Sequence, residues 1–195
     1  MMLQNKLFLV LFNSKEGSKW ESWKRFASKN NYLFSLIHDP LERPIIRGLL
    51  NDKPVSVEAI YEGYLEKELQ LKIKSPIYNP KENYLLVQDK KVYNSKSGIF
   101  NKSLQGICEN KNLEEKFFIK SDTERLPSQI LNIPDLSKDL ISQNNFSIEI
   151  IGFEMILTSY AIIEINREFI DLLKLFYFFL TSFEKLSLTT TSIRK

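Results

Sequence analysis

The sequence predicts an α+β fold in which one antiparallel sheet is covered by helices, and three observations carry that expectation. Apolar residues alternate with polar ones through Val55, Val57, Ala59 and Tyr61, and again through Leu69, Leu71 and Ile73. The alternation returns late in the chain at Phe146, Ile148 and Ile150, then at Met155, Leu157, Ser159, Ala161 and Ile163. From Phe169 onward the apolar period becomes helical. Period two makes a strand with one buried face, period 3.6 a helix with one buried stripe, and the apolar face of a sheet needs a covering layer. The expected architecture is a meander plus a C-terminal strand hairpin, covered by an N-terminal helix, a middle helical region and a long C-terminal amphipathic helix. All of it falls in a single domain over residues 1–195.

In chain order, residues 6–12 are a short apolar run without a small-x-small cleavage site, which reads as a buried strand and not as a secretory signal. Ser18-Lys19-Trp20-Glu21 has capping-box spacing and Asn30-Asn31 offers a stop, so a helix is expected between them, with Trp20, Trp23 and Ala27 on one face. Asn51-Asp52-Lys53-Pro54 and Gly63 supply turns, and Pro76, Asn79 and Pro80 end the meander before a strand at residues 84–88. Residues 91–93 read as one more short strand, residues 94–112 as a loop-rich insertion, and residues 113–120 as a strand. A helical region begins near Ser121-Asp122-Thr123, and Pro134 opens a second helix with Leu136, Leu140 and Ile141 inward. Gly152 turns the late hairpin, and Asn166 caps the final helix with Glu168 in its first turn.

A Trp-bearing helix followed by a meander resembles uncharacterised prokaryotic domains, and the long helix placed last resembles helix-grip carriers. The second likeness implies a ligand held between sheet and helix. The helical region near residues 123–143 interrupts the helix-grip order, so no site residue is carried over from it.

Composition narrows the chemistry. Lys plus Arg exceed Asp plus Glu by 27 to 24, a net charge of +3, and only 6 of the 27 cations are Arg. Phosphate and base readers exploit the Arg fork, so nucleic acid is not the expected partner. A single cysteine, Cys108, leaves no internal disulfide, and with the single His38 it provides too few soft ligands for a zinc site. A reducing, cytoplasmic location follows as the expectation. None of the 6 glycines belongs to a phosphate-cradling or nucleophile-elbow motif, and no cofactor or metal is expected.

Scattered groups remain. Cys108 and His38 would act as nucleophile and base only if the fold joined them, and each has a blander reading, as a small filler and as a turn residue beside Asp39. Glu66 with Glu68, and Glu114 with Glu115, are carboxylate pairs among charged neighbours, which reads as solvated surface.

Two surfaces stand out as candidates. Trp20, Trp23, Lys24 and Arg25 form a helix that could meet an anion or a lipid interface, within a segment from Lys6 to Lys29 of net charge +4 (six cations less Glu16 and Glu21). The ordinary reading of its Trp face is core. In the final helix, residues 169–183 span about 22 Å, too short for a bilayer of about 30 Å, and Asp171 and Lys174 oppose an apolar face. Phe178 falls on the polar side of that helix, with Leu175, Tyr177 and Ile170 at its margins. These four must lie under another segment or form a contact patch.

The expected function is a non-catalytic binding or protein-interaction domain. Its partner would be another protein or a second copy, with peripheral membrane contact as a further possibility. The alternative is a carrier of an apolar or amphipathic small molecule, which needs a cavity lined by residues such as Met155, Leu157, Leu172 and Phe176. An enzyme using His38, Cys108 or carboxylates comes third.

Overall fold

Among the described residues the sheet has eight strands, β1 (Leu33–His38), β2 (Glu42–Leu50), β3 (Lys53–Glu62), β4 (Glu68–Pro76), β5 (Leu85–Asp89), β6 (Phe117–Ser121), β7 (Phe146–Ile151) and β8 (Glu154–Ser159), and the alternation seen in the sequence falls in β3, β4, β7 and β8. In this computed structural model, residues 20–38, 42–62, 68–92, 110–160 and 165–192 are described. The strand expected at residues 6–12, Ser18, Gly63, Glu66, Cys108 with most of the 94–112 insertion, and the end of the late hairpin at Ala161 and Ile163 lie outside the described residues.

All pairings are antiparallel, in the order β1-β2-β3-β4-β8-β7-β5-β6. The late hairpin is therefore the centre of the sheet, inserted between β4 and β5. One row of paired residues crosses every strand: Phe34, Ile46, Val57, Ile73, Leu157, Ile148, Val87 and Ile119. Seven of these eight are buried and Phe34 is partly so, which shows that register follows the apolar alternation. Asn51 and Asp52 both have positive φ, 47° and 67°, the backbone of a two-residue hairpin turn whose twist matches the strands.

Helices α1 (Glu21–Lys29), α2 (Lys111–Lys116), α3 (Arg125–Leu131), α4 (Pro134–Ser142) and α5 (Arg167–Ser192) supply the cover. Helix α1 packs on β1 and β2, and its Phe26 ring meets Phe169 of α5 edge-on at 5.3 Å. Helices α3 and α4 pack against α5, and α3 also against β6. The cap on α5 is as expected, since Asn166 Oδ1 accepts the Phe169 N–H at 3.0 Å. Pro134 stands in the first turn of α4.

Three local expectations need correction. Helix α1 starts at Glu21 with Trp20 at its N-cap and no side-chain cap, so Glu21 is not at the third helical position that a capping box requires; it pairs with Arg25 at 3.8 Å instead. Of the strand expected at residues 113–120 only the part from Phe117 is a strand, and residues 111–116 are helical: Asn110 Oδ1 accepts the Asn112 N–H at 3.1 Å, and Leu113 is the one buried residue of that turn. Where a short strand was expected at residues 91–93, residues 90–92 form a helical turn, because Asp89 Oδ1 accepts the Lys91 N–H at 2.9 Å and bends the chain out of the ladder; Tyr93 lies outside the described residues.

Lys116 closes this side of the molecule. Its Nζ donates to the carbonyl of Ile141 at 2.5 Å and to that of Gln143, satisfying groups at the C-terminal end of α4. Burial pulls its ammonium below the usual lysine range, against an upward pull from Asp89.

Candidate functional site

Strand direction decides which loops meet. In an antiparallel sheet of this order the β2–β3 turn, the β4–β5 loop, the β6–α3 connection and the β7–β8 turn all emerge at one end. Helix α5 leaves β8 at the opposite end and finishes at this one, where Glu184 pairs with Lys53 at 2.5 Å. Among the described residues, the large apolar side chains that remain exposed are Leu33, Leu49, Tyr78, Ile151, Phe153 and Leu188, at 48% to 74%. Every one of them belongs to this turn end.

Three of them, Tyr78, Ile151 and Phe153, lie on neighbouring segments at the exit of β4 and the β7–β8 turn. The Ile77 N–H donates to the Phe153 carbonyl at 2.9 Å, joining the exit of β4 to the β7–β8 turn. Gly152 turns there with φ +56°, a conformation that L side chains rarely adopt. Behind them sits Asn79, fully buried, whose Nδ2 donates to the carbonyls of Gly152 at 2.7 Å and Asn83 at 2.9 Å while Oδ1 accepts the Asn83 N–H at 3.0 Å. A buried amide satisfied on both sides holds its loop in one shape. The exposed cluster is thus mounted on a braced support.

Beside it opens a cleft of about 460 Å³ between the β4–β5 loop, the start of α3 and the end of α5. The two walls are tied together: the Tyr84 N–H donates to Asp122 Oδ2 at 2.9 Å, and Ser121 Oγ donates to the Tyr84 carbonyl at 3.0 Å. The Tyr84 phenol is pushed up to about 12, by burial first and then by the charge and hydrogen bond of Glu149.

The residues singled out from the sequence fall elsewhere. Trp20 and Trp23 are 3% and 1% exposed and stack edge-on at 6.1 Å, so their rings are core and have no face for a base or a lipid. Lys24 lies on the outside with Nζ 5.8 Å from the Phe34 ring, and Arg25 with Glu21. Leu175 and Ile170 are buried at 1% and 8%, while Tyr177 and Phe178 are partly buried against the same core. The flanking of α5 by α1 on one part and by α3 and α4 on another gives the margins of that helix a place to pack.

His38 is exposed and lies 3.8 Å from Glu42 across the β1–β2 pair, and Cys108 is outside the described residues. Glu114 and Glu115 are exposed. Among the described residues no three or more His, Cys, Asp or Glu side chains gather as metal ligands. Met155, Leu157, Leu172 and Phe176 are fully buried, and none of them lines the cleft. No described helix is long and apolar enough to cross a membrane.

The exposed cluster was not legible beforehand because its members flank turns. Tyr78 precedes Asn79-Pro80 and Phe153 follows Gly152, so no period assigns these two a face, while the alternation through Phe146, Ile148 and Ile150 puts Ile151 on the outward face without marking it further. The only available signal was large apolar side chains placed against turn residues. No protein-family model matches the chain, and neither a curated protein nor a solved structure matches it.

Proposed function

We propose that the chain is a binding domain that docks another protein through its turn end, with Tyr78, Ile151 and Phe153 as the contact. The observation that carries this reading is the collection of the exposed large apolar side chains at one end, on a braced support. Burying each such side chain in a partner is worth about 1.5 to 3 kcal/mol when complete, so three of them supply a real driving force. The surroundings carry both signs, with Lys81 and Arg125 near Glu82 and Glu124. A mixed rim suits a protein surface better than a polyanion.

The test compares the full chain with a Tyr78→Ser/Phe153→Ser variant, both purified from the native host and examined as intact assemblies by mass spectrometry. The wild type is expected to carry a protein partner or a second copy that the variant loses at an unchanged unfolding midpoint. Equal recovery of assembly by both would overturn the reading. A co-purifying lipid or metabolite retained by both proteins would point to the carrier instead.

A further inference from the structure

We infer that the cleft beside the turn end is a binding site for a small organic anion with an apolar body, such as a medium-chain carboxylate or phosphate monoester. This goes beyond docking at Tyr78 and Phe153, since neither residue lines the cleft.

At about 460 Å³ the cleft falls within the range of small-molecule sites. Its apolar lining is Pro80, Leu126 and Leu186, enough for a short hydrocarbon chain. Lys81 stands on one wall and Arg125 on the other, and among the described residues neither has an ion pair or hydrogen bond. Cations left unpaired around an apolar floor are what an amphipathic anion requires: a fork or ammonium for the head and dry surface for the chain. Asn83, Thr123 and Gln129 add polar groups at the same rim. Glu124 is also there and opposes an anion, which gives the site a sign that can be tested.

The site is preformed. Asn79 fixes Asn83 on one wall, Asp122 and Ser121 bind Tyr84 across the gap, and the Thr123 N–H donates to Ser121 Oγ at 3.2 Å. A ligand entering it spends little on ordering the loops.

The experiment is a titration of the full-length chain at pH 7, followed by amide chemical shifts, with hexanoate, hexyl phosphate, hexylamine and 1-hexanol. The two anions should perturb Lys81, Asn83 and the residues around Arg125 saturably, and the tighter of them assigns the head group. Lys81→Ala and Arg125→Ala should each weaken the anion by about fivefold, while Glu124→Gln should tighten it. All three positions are exposed, so the variants should fold as the wild type does. An equal response to hexylamine, no saturable response to either anion, or unchanged affinity in the Lys81 and Arg125 variants would overturn the assignment. Loss of partner docking in the Tyr78→Ser/Phe153→Ser variant with anion binding intact separates this site from the docking surface.

Discussion

Two aromatic-rich regions of this molecule look alike in composition and differ in every physical respect. Helix α5 carries Phe169, Phe176, Phe179 and Phe183 on one stripe, all fully buried between the sheet and its neighbouring helices. The turn end carries Tyr78, Ile151 and Phe153, exposed at 48% to 59%. Helical spacing gives the first group a common direction, and a sheet with an apolar face is there to receive it. In the second group Tyr78 and Phe153 sit in turns whose backbone is occupied with reversing direction, and Ile151, the last residue of β7, falls on the strand face opposite buried Ile150, so the three share no inward direction. Apolar content alone therefore does not separate core from exposed surface; the direction of the side chains and a face to receive them do.

The comparison breaks most visibly through Phe176→Ala, which empties a fully buried ring position and should cost about 3 to 5 kcal/mol in denaturant unfolding. A loss near zero would mean that the stripe is not core. Asn79→Ala should cost about 2 kcal/mol in the same measurement and increase amide exchange at Asn83, because the Gly152 and Asn83 groups lose their buried partner. Unchanged exchange there would show that the turn end is not braced by this amide.

Tyr84 lies between the two regimes, half-buried with Glu149 beside it. Its folded pKa of about 12 lies above the ordinary value of 10.0, so the protonated phenol contributes stability in full below pH 10. That contribution is lost as pH rises from 10 to 12, because the unfolded chain ionises first. Unfolding of the wild type should accordingly steepen over this window relative to Tyr84→Phe; parallel profiles would show that burial and Glu149 together do not hold the phenol protonated. The smallest effect on stability belongs to Phe153→Ser, expected within about 0.5 kcal/mol of wild type while association falls. A large destabilisation would place Phe153 with the core stripe and abolish the contrast.

Much of the fold was legible. The alternation at Val55, Val57 and Ala59, the Asn51-Asp52 turn, Pro134 in a first turn and the Asn166 cap each express local backbone chemistry, and local chemistry survives tertiary context. Helix α2 and the turn at residues 90–92 were misread because short segments with one or two apolar residues carry no usable period, and a side chain such as Asn110 or Asp89 then decides. The candidate site was less legible still. Trp20 and Trp23 drew attention as aromatics beside cations, yet their shared helical face sends them inward.

By itself the sequence determined the types of most elements, the inward faces of β3, β4, β7 and β8 and the buried stripe of α5, since these follow from periods of two and 3.6 along a single stretch of chain. Only the tertiary structure decided that the late hairpin β7–β8 lies in the middle of the sheet between β4 and β5. That choice depends on matching edges far apart in sequence, which no local period encodes. It is also what carries Gly152 and Phe153 to the exit of β4, beside Asn79 and Tyr78, and so builds the end of the molecule where the exposed apolar groups and the cleft meet.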